Sequence, residues 1–281
     1  MIKSKLKLDF VAIGPQRTGT SWLDRVLREH PSLCLPQNVK ETMFFERYYD
    51  KGWEWYASHF TSCLEHQYCG EVAPTYFHCL ETIDRIYQIN PNCKIIINLR
   101  HPVDRAVSLY RHYLARGQVY GSFEEAASQT PRIIEAGKYA TYIPYWLEKF
   151  GRDNIYIVLL EDIETQPQKT LDSIAEFLEV NSVHYSEQSL QKYGVGTMNK
   201  NLLLARLTTQ AVNFLRANRL HKVVELGKNI GLKKIYSGRD KTSITISPEQ
   251  ELELQEKYKE DIVFIEKITK RDLSQWRQSI L

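Results

Sequence analysis

Gly14-Pro15-Gln16-Arg17-Thr18-Gly19-Thr20-Ser21 follows directly on the apolar run Phe10-Val11-Ala12-Ile13 and leads into Trp22-Leu23. A short apolar run, a glycine-bounded turn and a helix start have the outline of a phosphate loop, whose backbone amides cradle phosphate at the helix N-terminus. In loops that hydrolyse nucleotides the pattern is G-x-x-x-x-G-K-[ST], with lysine on the outer phosphates and a hydroxyl on magnesium. Here Thr20 stands at the lysine position and the basic residue is set back to Arg17. That arrangement points to a nucleotide donor that hands on something other than a phosphoryl group.

Around this loop the pattern repeats. Residues 8–13, 68–72, 94–99 and 155–160 read as buried parallel strands, being short, apolar and β-branched. Helical patterns separate or follow them at residues 21–29, 79–90, 104–115, 139–150 and 170–178. The alternation predicts an α/β fold, a P-loop-like parallel sheet flanked by helices, with ligands at the carboxyl ends of the strands. The phosphate loop and Arg100-His101-Pro102 both follow such ends and therefore face one crevice. Ser247 and Pro248 provide an N-cap and a first helical position for a C-terminal helical region. From residue 191 the chain turns basic, with Lys200, Arg206, Arg216, Arg219, Lys222 and Lys228. Within a single domain spanning 1–281, residues 191–238 are expected to be a basic helical insertion or lid; a solvated helical face is the other reading of such spacing.

With 43% hydrophobic and 25% charged residues the chain has the composition of a soluble globular protein, and its net charge of +3 gives no case for nucleic acid as a partner. The first nine residues carry lysines without an apolar core, and no stretch is long and apolar enough to span a membrane, so the expected location is the cytoplasm. Cys34, Cys63, Cys69, Cys79 and Cys93 include no C-x-x-C pair, which reads as free thiols in a reducing compartment and not as a zinc site.

Two further segments carry chemistry. Leu99-Arg100-His101-Pro102 runs from a strand end into a helix that bears Ser108, and an arginine fork with a hydroxyl suits a second phosphate. The alternative is a structural strand-to-helix turn with Asp104 and Arg105 on the surface. Glu41 precedes Thr42-Met43-Phe44-Phe45, and a carboxylate beside an apolar patch suits a general base. The alternative is that Glu41 pairs with Lys40 or caps a turn. His101 and Tyr139 either touch the nucleotide or serve the turn and the core. His59 and His112 read as structural. Trp53, Trp55, Tyr56 and Phe60 form an aromatic stripe, read as core packing or as an acceptor platform.

Taken in order, these segments resemble the PAPS-dependent sulfotransferases, PAPS being 3′-phosphoadenosine 5′-phosphosulfate. The stretch from Gly14 to Ser21 resembles the family's 5′-phosphosulfate loop, and Leu99 through Ser108 its 3′-phosphate segment. Glu41-Thr42-Met43-Phe44-Phe45 and Gly70-Glu71-Val72-Ala73-Pro74-Thr75-Tyr76-Phe77 are similar to blocks of the heparan sulfate branch. Gly137-Lys138-Tyr139, Trp146-Leu147 and Glu161-Asp162 match further blocks, and Leu273-Ser274-Gln275-Trp276 resembles the end of many bacterial members. The likeness covers nearly the whole chain and is thinnest over 191–238.

The resemblance implies sulfuryl transfer from PAPS to a hydroxyl, or less often an amine, of a carbohydrate, lipid or small molecule, releasing PAP. It implies that Arg17 acts on the bridging oxygen while Gln16, Thr18, Gly19, Thr20, Ser21 and Trp22 hold the 5′-phosphate. Arg100 and Ser108 would hold the 3′-phosphate, Lys200 would close over the nucleotide, Glu41 would take the acceptor proton, and no metal is needed. Two residues depart from the pattern. Arg17 stands where many members have lysine, and arginine keeps its proton, so it clamps charge and gives none up. Val72 stands where the heparan branch has lysine, which weakens the case for a polyanionic glycan acceptor. Two rivals stay open: a small-molecule kinase, which would want a lysine before Ser21, and a non-catalytic PAP-binding module.

Overall fold

The computed structural model describes residues 6–191 and 246–277. The expected lid at 191–238, apart from Gln191, and Lys200 lie outside the described residues.

Strand β1 (Phe10–Ala12) is buried along its whole length and sits at the centre of a five-stranded sheet in the order β2-β3-β1-β4-β5. The others are β2 (Leu33–Cys34), β3 (Tyr68–Val72), β4 (Lys94–Leu99) and β5 (Ile155–Leu159). All pairings are parallel, with Val11 opposite Glu71 on one side and Ile95 on the other. A parallel sheet covered on both faces needs apolar residues on both sides of each strand, which is why these segments read as continuous apolar runs. Alternation then sorts the side chains. Phe10, Ala12, Ile96 and Val158 join the core under helices α1 (Thr20–Arg28) and α10 (Pro167–Phe177). Val11, Ile13, Ile95, Ile97 and Leu99 join the opposite core with Tyr139, Ile143 and Trp146 of α8 (Tyr139–Phe150).

Of the five expected helices, α1, α4 (Leu80–Ile89) and α5 (Pro102–Ala115) begin and end within about two residues of the structural bounds, α8 runs over the expected residues, and α10 begins earlier, at Pro167. Short helices fill the connections: α2 (Phe44–Arg47), α3 (Trp53–Ala57), α6 (Phe123–Gln129), α7 (Arg132–Glu135), α9 (Leu160–Thr165) and α11 (Glu187–Leu190). The C-terminal region holds α12 (Pro248–Lys257), opened by Ser247 in a capping box with Gln250, and α13 (Lys259–Thr269). Helices α5, α6, α7 and α12 enclose a third core around Val103, Leu109, Phe123 and Ile133.

Two expectations are corrected here. Arg105 is fully buried and donates to the Ile133 carbonyl at 2.5 Å, so it ties α5 to α7 and is no surface residue. The cysteines are not all thiols: Cys34 and Cys63 form a disulfide, with their Cα atoms 5.6 Å apart, while Cys69, Cys79 and Cys93 are free. Folding brings β2 alongside the turn after α3, a proximity that spacing alone does not announce. Cys69, opposite Cys34 in the sheet, places its sulfur close to this pair. Among the described residues no helix is long and apolar enough to cross a membrane.

Candidate active site

One cleft of about 410 Å³ is lined by the loop after β1, by the segment after β2, by Pro74 and Thr75 after β3, and by the end of α5. Gly14 leaves β1 so close to β4 that a Cβ would lie 2.4 Å from the Asn98 backbone nitrogen, so only glycine fits. The loop then turns through Arg17, whose φ of 78° is left-handed, and Gly19, at 88°, before α1 begins. The Thr18 hydroxyl donates to the Pro15 carbonyl at 2.7 Å and fixes the loop internally. Amides in the first turn of a helix have no intrahelical acceptor, so this loop presents N–H groups to an anion.

Arg17 is the junction of the site. Its Nε donates to Ser108 Oγ at 3.0 Å, joining the phosphate loop to α5. Burial, then the charges of Arg100 and Arg116, lower the guanidinium pKa. The charges of Arg100 and Arg116 added to that of Arg17 make a field for a polyanion. Arg100, at the end of β4, pairs with Asp104 at 3.2 Å, and its carbonyl accepts from the Tyr139 hydroxyl at 2.7 Å. The Arg100 Nε is buried and has no hydrogen-bond partner among the described residues. A buried donor left over beside a cationic loop fits an incoming phosphate oxygen.

Glu41 faces the same cleft from the segment between β2 and α2. Its Oε1 lies 3.6 Å from Lys40 Nζ, so the pairing weighed as the alternative role is present as well. Below it runs a network that sequence reasoning missed. Glu71, fully buried on β3, accepts from the Thr42 amide at 3.1 Å, the Thr42 hydroxyl at 2.9 Å and the Tyr76 hydroxyl at 2.9 Å. Tyr76 also accepts from the Phe45 amide at 3.3 Å. Desolvation pushes the Glu71 carboxyl up to about 7, against the opposing pull of these hydrogen bonds. The network clamps the backbone on the far side of Glu41, including Met43 at φ 55°. The Gly70-to-Phe77 block was the available signal, but nothing in it shows which residues Glu71 would hold.

Of the other candidates, Gln16, Thr20 and Ser21 line the cleft, and Gln16 Oε1 accepts from Tyr113 at 2.8 Å. Trp22 does not reach it: its indole is buried in the core under α1 and donates to the Leu190 carbonyl at 3.3 Å. His101 caps α5. Its Nε2 faces the Trp276 carbonyl at 2.7 Å, so that nitrogen carries the proton and Nδ1 accepts from the Asp104 amide at 3.4 Å. Burial pushes its pKa down and favours this neutral form. Trp276 in turn donates to Glu161 at 2.9 Å, and Arg271 pairs with Asp162, so the Glu161-Asp162 block meets the one ending in Trp276. Tyr139 is core. His59 and His112 both line the cleft, beside Tyr48, Trp55, Arg47, Arg116 and Arg132. The aromatic stripe is split: Tyr56 and Phe60 are buried, and Trp55 forms a wall. Val72 is fully buried and belongs to the core that holds Phe10 and Trp22.

Comparison with known proteins agrees with this architecture. Residues 7–222 match the sulfotransferase domain. The chain is 32% identical to the human bifunctional heparan sulfate N-deacetylase/N-sulfotransferase 3, covering 63% of this chain and 23% of that protein. It is 24% identical to a membrane-associated sulfotransferase of Dictyostelium discoideum, over 64% of this chain and 57% of that one. The chain thus spans between somewhat under a quarter and somewhat over half the length of these relatives. A sulfotransferase from Alicyclobacillus acidocaldarius shares the fold, with a TM-score of 0.69 at 23% identity, covering 97% of this chain and 100% of the other. The chain belongs to the sulfotransferase family.

Proposed function

We propose that the chain transfers a sulfuryl group from PAPS to a hydroxyl of a carbohydrate, lipid or small molecule, and releases PAP. The observation that carries this reading is the Arg17–Ser108 hydrogen bond, which ties a phosphate-cradling loop to a second anion-binding segment that holds Arg100. A nucleotide with phosphates at both 5′ and 3′ positions would use both. In the proposed reaction Glu41 takes the proton from the acceptor hydroxyl, whose oxygen attacks sulfur. The bond from sulfur to the bridging oxygen breaks, and PAP leaves with the electron pair. Arg17 and the loop amides would meet the negative charge that builds on that oxygen, where oriented donors contribute most to rate. Nothing in this chemistry calls on the lysine that a phosphoryl-transferring loop would place at Thr20.

Calorimetric titration tests the reading. PAP is expected to bind tightly without metal, and Mg-ATP weakly. Glu41→Gln is expected to bind PAP as the wild type does while turnover falls by about 10²–10⁴-fold. Tight Mg-ATP binding with no preference for a 3′-phosphate would favour a kinase instead. The cytoplasm is the proposed compartment; alkylation of the protein directly in cells tests it, since a protected Cys34–Cys63 pair would place its folding in an oxidising one.

A further inference from the structure

The loop lacks a lysine at Thr20, yet an ammonium group stands beside that residue in space. Lys40, which approaches from the segment that carries Glu41, places its Nζ 3.2 Å from Thr20 Oγ1 and 3.4 Å from Ser21 Oγ. The same nitrogen lies 3.6 Å from Glu41 Oε1. The two hydroxyls mark the first residues of α1, where the helix N-terminus would receive the 5′-phosphate. Glu41 marks where the acceptor hydroxyl would lose its proton. In an in-line transfer the sulfuryl group passes between those two places, and Lys40 Nζ occupies that interval.

We propose that Lys40 is a catalytic residue of the sulfuryl transfer: its ammonium contacts the non-bridging oxygens of the group in transit, opposite Arg17. The assignment rests on the sulfotransferase reading above. An ion pair between sequence neighbours that is reached by solvent contributes little to stability, so pairing with Glu41 alone gives Lys40 no comparable role. A compact, strongly hydrated point charge on a flexible stem suits a group that moves as bonds exchange, whereas the planar fork of Arg17 is fixed by its bond to Ser108. The step balances as written for the reaction: Lys40 forms and breaks no covalent bond and keeps its proton.

The test needs no acceptor. PAPS and PAP differ only by the sulfuryl group, so calorimetric titration of wild type, Lys40→Met and Lys40→Arg with each ligand separates the roles. Lys40→Met is expected to weaken PAPS binding by about tenfold or more, as loss of a charge-assisted contact does, and to change PAP affinity by less than about twofold. Lys40→Arg is expected to fall between. Equal losses for both ligands would make Lys40 a holder of the 5′-phosphate and overturn the assignment, as would no loss for either. Failure of the wild type to bind PAP or PAPS would instead overturn the sulfotransferase reading itself. Unchanged thermal melting of the variants would confirm that folding is not what has been measured.

Discussion

Arg17 sits in a backbone conformation that costs an L-residue about 1–2 kcal/mol, at φ 78°, and the only group it gains there is a guanidinium aimed at Ser108. Replacing it by alanine or by glycine removes that group equally, but only glycine takes the left-handed conformation freely. Both variants are therefore expected to lose PAP affinity to a similar degree. In chemical denaturation Arg17→Gly is expected to be the more stable of the two by about 1 kcal/mol. Equal stabilities would show that the loop carries no strain at this position. Arg17 was legible in the sequence because a basic residue inside a glycine-bounded turn has few other uses. Glu71 was not: its partner Thr42 lies 29 residues away, and nothing local marks a carboxyl that will be buried.

At the scale of elements, the segment between β2 and β3 carries Lys40, Glu41 and the cleft wall at Trp55, and it is anchored from below by Glu71 and Tyr76. In the folded chain the Glu71 carboxyl titrates at about 7, raised from 4.5 chiefly by desolvation. Between those values the folded chain holds a proton that the unfolded chain has lost. Stability is then expected to fall as pH rises from about 4.5 to about 7 and to level off above, by about 3 kcal/mol at most. Asp261, pushed up to about 6 by burial, adds a slope of the same sign. The check is urea denaturation of wild type and Glu71→Gln at several pH values. The difference between their stabilities should change across this window, and a constant difference would remove Glu71 as its source. The same segment is closed into a ring by Cys34–Cys63. By loop entropy a ring of this size contributes roughly 3.5 kcal/mol to stability. The elements visible in the sequence were those with a long enough pattern. β2, at two residues, has none, and it is defined only by pairing Leu33 with Tyr68 and Cys34 with Cys69.

Over the whole molecule, the sheet and its helices were readable because a parallel sheet covered on both faces demands apolar runs of strand length. The cleft was readable only in pieces. The two segments proposed to hold phosphates lie 91 residues apart at Arg17 and Ser108, and the crossover order of the sheet, with β1 between β3 and β4, is what brings them together. That arrangement also distributes the five tryptophans unevenly. Trp22, Trp146 and Trp276 are buried, Trp53 and Trp55 are partly exposed, and of these two Trp55 lines the cleft. The red edge of the intrinsic fluorescence should therefore report on the acceptor side. Arginines 47, 116 and 132 would draw iodide to that indole and repel caesium, so iodide is expected to quench it more strongly. A compound that fills the acceptor half should shield Trp55 and shift the emission to the blue, and Trp55→Phe should abolish both effects. Unlabelled protein in a cuvette would then sort candidate acceptors before any turnover is measured.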